Sequence, residues 1–144
     1  MAFGKMFNAF AGNLNEQNSV DATREYQDYL IDGEKITNAF KLIRDGLLFT
    51  DLRIIFIDKQ GATGRKVSYK TIFLSTIVDV EMETAGSGLD DSELTVTYLK
   101  NAYLKGRDQT VGSYKFEFPK RMDIAPLYRY LMNIAYQNRL DINK

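Results

Sequence analysis

The sequence predicts a mainly β fold: seven short antiparallel strands closing as a barrel or sandwich, one C-terminal amphipathic helix, and a helical extension at the N-terminus. Three observations predict it. Between Glu34 and Phe118, apolar residues recur at every second position in a series of short runs, which is the strand period. The runs are mostly separated by short Asp- and Gly-bearing turns, which argues for antiparallel pairing. After Asp123 the spacing changes to three and four, the helix period, and stays so to the end of the chain.

In chain order, Phe3, Met6, Phe7 and Phe10 fall at i, i+3, i+4 and i+7, one face of a helix, although Gly4 and Gly12 weaken that element. Residues 13–18 are polar. A clearer helix follows over 19–31, with Ser19 as its cap, Ala22, Tyr26, Tyr29 and Leu30 on one face, and Gly33 placed to stop it. The first strand spans 35–43, with Ile36, Phe40 and Leu42 on one side. Asp45-Gly46 is a hairpin signal, because a type I′ turn needs positive φ. Strands follow over 47–50 and 52–58, then a glycine-bearing loop over 59–64. Val67, Tyr69 and Thr71 alternate with Lys66, Ser68 and Lys70. Val78, Val80 and Met82 alternate with Asp79, Glu81 and Glu83. Leu94, Val96 and Tyr98 form the inner side of the next strand, and Tyr114, Phe116 and Phe118 that of the last. The loop over 100–112 is long enough to be mobile. The C-terminal helix covers 123–139, with Asp123 as cap, Pro126 in its first turn, and a stripe of Ile124, Leu127, Tyr128, Leu131 and Ala135. Such a helix can plug an open barrel mouth. The chain of 144 residues thus divides into an extension over 1–18 and one domain over 19–144, whose strands occupy 34–118.

Composition removes whole classes of chemistry. Cysteine and histidine are both absent, so disulfides, thiolate nucleophiles, Cys/His zinc sites and Ser-His-Asp triads are excluded. Carboxylate pairs remain, but they lie on strand faces and turns that read as wet, so no catalytic residue, cofactor site or metal site is assigned. Asp90-Asp91-Ser92-Glu93 lacks the regular ligand spacing of an EF-hand and reads as a solvated hairpin tip. Nineteen basic residues balance nineteen acidic ones, which gives no global attraction to nucleic acid or to acidic membranes. Tyr114-Lys115-Phe116 mixes aromatics with a base as stacking platforms do, yet alternation sends both rings to the interior. No run approaches the ~18 apolar residues of a membrane span. The first twelve residues hold no stretch like that of a secretory leader, so a cytoplasmic chain is expected.

Several blocks carry a resemblance. They are Gly33-Glu34-Lys35-Ile36, Ala39-Phe40-Lys41, Arg44-Asp45, Phe49-Thr50, Asp58-Lys59-Gln60-Gly61, Thr63-Gly64-Arg65-Lys66 and Glu83-Thr84-Ala85-Gly86. In this order, over about residues 20–135, the sequence resembles the bacterial pleckstrin-homology (PH) domain family of small proteins. The resemblance implies a PH-like, seven-stranded, antiparallel, partly open barrel capped by the C-terminal helix. It also implies assembly into closed ring-shaped homo-oligomers and no enzymatic activity. Eukaryotic lipid-binding PH domains place a lysine and a later basic-x-Arg pair around the first hairpin. Here Lys41 and Arg44 approach that turn, but Asp45-Gly46-Leu47 follows and the pair is missing. Lys41 and Arg44, with Arg65 and Lys66 in the glycine loop, are weak anion-binding candidates.

One feature demands a partner surface. Leu47-Leu48-Phe49 and Leu52-Arg53-Ile54-Ile55-Phe56-Ile57 are apolar on both strand faces. One face fills the core, and the other must be covered. Burying roughly 300–400 Å² there is worth at most roughly 8–10 kcal/mol, comparable to the net stability of a domain. Three covers are available: the helix over 19–30, the stripe of Phe3, Phe7 and Phe10, and an identical neighbouring subunit. The neighbour is expected to supply most of it, with Leu48, Leu52, Ile54, Phe56, Phe3, Phe7 and Phe10 at the interface. The expected role is a self-assembling scaffold that recruits an unidentified protein. The rival is a lipid-binding module anchored on a membrane by the Phe-rich segment. The segment 94–144 carries nine basic and four acidic residues, opposite in sign to the acidic stretch over 79–93, which suits contact between identical copies.

Overall fold

The computed structural model describes residues 16–17, 19–42, 45–60, 66–84, 91–120 and 122–144. They form two compact units, Met1–Ile72 and Phe73–Lys144.

In the first unit, a two-residue strand β1 (Glu16–Gln17) precedes helix α1 (Ser19–Tyr26) and a 3-10 turn (Gln27–Tyr29). Strands β2 (Ile36–Lys41), β3 (Gly46–Thr50), β4 (Arg53–Gln60) and β5 (Lys66–Phe73) follow. The sheet runs in the order β1-β2-β3-β4-β5. The pairs β1–β2, β2–β3 and β3–β4 are antiparallel. Register divides the β3–β4 hairpin into two apolar faces. Leu47 lies opposite Phe56 and Phe49 opposite Ile54, while Leu48 lies opposite Ile55. Both sets are buried. Phe40 joins the first face, with its ring edge-on to Phe49 at 5.8 Å.

The second face is covered from within the chain. Ala22, Ile36, Ala39, Leu48, Ile55 and Ile57 form one buried cluster, and Tyr26, Leu30 and Val67 pack against it. Ala22 sits at the centre of the cover with no exposed surface. Its methyl group lets the helix backbone approach the sheet closely. This revises the expectation that an identical neighbour would supply most of the cover: α1, the first of the three candidates, provides it.

Four local details also differ from expectation. A bulge between Ile36 and Asn38 sends Ile36 to the α1 side while Phe40 faces the other way, so the two do not share a face. Asp45-Gly46 is not the turn corner. Gly46 opens β3 opposite Lys41 and Ile57, and its φ is not positive. The Leu42 N–H donates to the Asp45 carbonyl, and residues 43–44 lie outside the described set. A Cβ at position 46 would come within 3.2 Å of Ile57 Cδ1, so that side chain would have to give by a few tenths of an ångström. The α-helix stops at Tyr26, earlier than 31, so Gly33 is not its C-terminal stop. Gly33, at φ +84°, closes a separate turn in which the Glu34 N–H donates to the Ile31 carbonyl.

In the second unit, a 3-10 turn (Leu74–Thr76) leads into β6 (Ile77–Glu83), β7 (Ser92–Leu99) and β8 (Val111–Phe118), a three-stranded antiparallel sheet in that order. Strands β2 to β8 are thus the seven expected, and β1 is an addition from the N-terminal extension. Helix α2 (Ala125–Ile142) begins and ends slightly later than expected. Asp123 accepts from the Ala125 N–H at 3.1 Å, just ahead of the helix. The buried stripe contains Leu127, Leu131 and Ala135 as expected, together with Tyr130, Ile134 and Asn138. Asn138 is polar yet fully used: its Nδ2 donates to the carbonyls of Leu74 at 2.7 Å and Ile77 at 2.8 Å. Burial pushes the Tyr130 phenol well above its ordinary pKa. The loop after β7 is pinned by its own bonds. Asn101 donates to the Asp108 carbonyl and accepts from the Thr110 N–H. Gln109 donates to the Leu104 carbonyl.

Replacing Asn138 with Leu keeps the volume but strands two buried carbonyls, each costing about 1–3 kcal/mol. A urea melt of Asn138→Leu is expected to show a lower midpoint with an unchanged slope. A midpoint equal to that of the parent would show that these bonds do not hold the helix.

Candidate interaction surface

Arg53 opens β4 ahead of the apolar run Ile54-Ile55-Phe56-Ile57, and Glu34 stands two residues before β2. The structure joins them. Arg53 Nε donates to Glu34 Oε2 at 2.8 Å and Nη2 to Oε1 at 3.0 Å, a two-point fork with the Glu34 side chain fully buried. The Thr50 hydroxyl donates to Oε2 at 2.6 Å and the Ile31 N–H to Oε1 at 2.9 Å. Arg53 reaches further, to the Tyr29 carbonyl and to the Thr71 hydroxyl, both at 2.8 Å. One ion pair therefore ties together the 3-10 turn, the start of β2, the end of β3, β4 and β5. Burial raises the Glu34 pKa, but the hydrogen bonds from Arg53, Thr50 and Ile31 outweigh it and hold the carboxyl below its usual value.

Around this clasp stand four exposed apolar side chains: Tyr29, Ile31, Leu52 and Tyr69. The rings of Tyr29 and Tyr69 stack at 4.5 Å. Tyr29 was expected on the covered face of the helix, and it is 51% exposed. Rigid aromatic and aliphatic side chains on a fully bonded base match the anatomy of binding hot spots. Burial, with help from neighbouring Glu25, pushes the nearby Tyr26 phenol up to about 12.

The expected interface residues are distributed differently from one another. Leu48 faces α1, while Ile54 and Phe56 lie on the opposite face of the hairpin. All three are buried within the single chain. Leu52 is the one among the described candidates that is exposed, at the edge of the clasp. Phe3, Phe7 and Phe10 lie outside the described residues. So do Arg44 and Arg65 of the anion-binding candidates. Lys41 ends β2, and Lys66 is exposed at the start of β5. Nothing in the sequence reading paired Glu34 with Arg53. The available signal was Arg53 directly ahead of the apolar run Ile54-Ile55-Phe56-Ile57, a charge that needs a partner if it is buried.

Asp79, Glu81, Glu83 and Glu93 of the acidic stretch share the outer face of the second sheet. Glu83 lies opposite Glu93, and Glu93 opposite Glu117. Lys115 offsets part of this repulsion with its ammonium 3.3 Å from Glu93. Hydrogen bonding and attraction from Glu93 raise the Lys115 pKa. Among the described residues, no three acidic side chains converge on a cation site, and no helix is long and apolar enough to cross a membrane.

Known proteins resemble this chain over most of its length. The sequence profile of the bacterial PH domain family matches residues 5–135. Two uncharacterized proteins of Bacillus subtilis strain 168 are similar. YjqA is 41% identical over 85 residues, covering 59% of this chain and 68% of YjqA. YvbH is 32% identical over 140 residues, covering 92% of this chain and 64% of YvbH, so the match leaves over a third of YvbH unspanned. Among solved structures, the pleckstrin homology domain from Shewanella amazonensis SB2B superposes with a TM-score of 0.64 at 32% identity, covering 90% of this chain and 97% of that one. A protein with a pleckstrin-homology domain from Shewanella loihica PV-4 gives 0.62 at 32% identity, covering 85% and 97%.

The depressed Glu34 pKa fixes the sign of a pH effect. The ionised carboxylate adds stability that is fully present above the ordinary value of 4.5 and is lost as the pH falls through its lowered folded value. Glu34→Gln should be less stable at neutral pH and lose less stability than the parent on acidification from about pH 5 to about pH 3. Parallel acid slopes in denaturant melts of the two proteins would refute this role.

Proposed function

The chain belongs to the bacterial PH domain family, and from that premise we propose that it is a non-enzymatic module that self-assembles and serves as a scaffold for protein contacts. The observation that carries this reading is the surface of Tyr29, Ile31, Leu52 and Tyr69 on the Glu34–Arg53 clasp. Its apolar side chains are exposed, while the backbone beneath them is held by charge-assisted bonds. Little ordering entropy is then lost when a partner docks. An identical copy is the favoured partner, because the family resemblance implies homo-oligomers and this surface is the exposed apolar counterpart to the buried hairpin. The relevant contact is through the clasp surface and not through Leu48, Ile54 and Phe56, whose burial is already complete in one chain. A scaffold role also suits a chain without cysteine or histidine. Its strongly shifted groups, Tyr26 and Tyr130, have pKa values raised away from neutrality, where acid-base catalysis needs them lowered.

Light scattering after size exclusion, at low micromolar concentration, tests the reading. The parent is expected to elute at an integer multiple of the chain mass. Leu52→Glu combined with Tyr69→Ser should release folded monomer, since both side chains are exposed and neither supports the core. A parent that runs as a monomer overturns self-assembly, and an assembly unchanged by both substitutions overturns this surface as its site.

A further inference from the structure

In the second unit, the last turns of α2, the start of β6 and the facing ends of β7 and β8 line an open, solvent-facing depression of about 210 Å³. Its walls include Val78, Leu99, Val111 and Ile142, and its polar lining is Gln109, Arg139 and Asn143. The polar groups are unevenly satisfied. Arg139 Nε donates to the Val78 carbonyl at 2.6 Å, which anchors the guanidinium at the rim. No acceptor among the described residues meets its two Nη groups. The negative groups nearby are already matched. The Arg139 carbonyl accepts from the Asn143 N–H and from Asn143 Nδ2. The Asp141 carbonyl accepts from the Lys144 N–H. The Asp141 carboxylate accepts from Gln137 Nε2 at 3.1 Å and lies 3.3 Å from Lys144 Nζ. Two of the last carbonyls of the helix, whose end is ordinarily hostile to an anion, are thus taken, and the exposed Arg139 guanidinium, held by its Nε, keeps its two Nη groups beside the depression.

We propose that this depression binds a short aliphatic carboxylate, with the Arg139 Nη groups receiving the carboxylate and Val78, Leu99, Val111 and Ile142 receiving the aliphatic part. A guanidinium offers the planar pair of donors that a carboxylate accepts. The volume lies below the roughly 300–1,000 Å³ that houses drug-sized ligands, so the occupant is small: a branched or linear acid of about five carbons, or the C-terminal residue of a peptide with an aliphatic side chain. Both sources present the same chemistry. Gln109 Oε1 and Asn143 Oδ1 stand at the rim and can each accept, which suits the backbone N–H of a peptide ligand and not a carboxylate oxygen. The site is independent of the clasp surface and of any self-assembly.

Saturation-transfer difference NMR on the full chain is the test, with isovalerate, isovaleramide, acetyl-Gly-Leu and acetyl-Gly-leucinamide as probes. At least one of the two acids should bind saturably with Kd below about 10 mM, and its neutral amide should bind at least about tenfold more weakly. The acid that binds more tightly identifies the source. Arg139→Gln should weaken binding about tenfold or more. Val111→Trp should do the same by filling the depression from an exposed position, without touching Arg139. An unchanged thermal midpoint shows that each variant remains folded. The proposal is overturned if neither acid saturates, if the amides bind as well as the acids, or if folded Val111→Trp binds like the parent.

Discussion

Everything in the first unit follows from a hairpin with no wet face. Leu47, Phe49, Ile54 and Phe56 point one way, and Leu48, Ile55 and Ile57 the other, and all are buried. A two-stranded ribbon of that composition cannot persist alone in water. Helix α1 removes the second face from solvent through Ala22 and Tyr26, joined by Leu30 just after the 3-10 turn. The helix is short and polar on its outer side, so its own propensity could not hold it in place. Helix and hairpin stabilise each other through the shared apolar contact.

The clasp follows from the same constraint. A hairpin sealed on both faces has polar needs at its end, where β3 turns into β4. Thr50 and Arg53 meet those needs by converging on Glu34. A buried ion pair is not by itself a source of stability, but it is specific in geometry. Here it fixes the 3-10 turn against three strands and so sets where Tyr29, Ile31, Leu52 and Tyr69 stand. The exposed apolar surface is the outward consequence of an inward electrostatic requirement. The second unit solves a similar problem with Asn138, whose amide supplies donors to two carbonyls at the junction of the 3-10 turn and β6.

Periodicity made the seven strands and the C-terminal helix legible, because alternation in β7 and β8 and the 3–4 spacing in α2 each report one buried face directly. The doubly apolar run in β3 and β4 was legible as a face needing cover. What covers it was not, since the cover depends on where a helix from another part of the chain comes to rest. The faces of β2 were misread because one bulge shifts the alternation, and a bulge leaves no reliable mark in composition. Asp45-Gly46 misled through turn chemistry. The glycine lies close against Ile57 within β3 and does not take positive φ. The clasp escaped notice because Glu34 and Arg53 are far apart in the chain, and only the folded sheet brings them into register. The loop over 100–112 looked mobile by length, whereas Asn101 closes it with two bonds that no spacing rule foretells.

The central claim is that the hairpin's second face is sealed by its own chain. The protein lacks cysteine, so a single Leu48→Cys substitution supplies a unique reporter on that face. The rate of its modification by a thiol reagent, measured across a wide range of protein concentrations, decides the matter. Sealing by α1 predicts a slow rate that does not change with dilution. A rate that climbs as the protein is diluted would mean that a second copy supplies the cover, and would contradict the account.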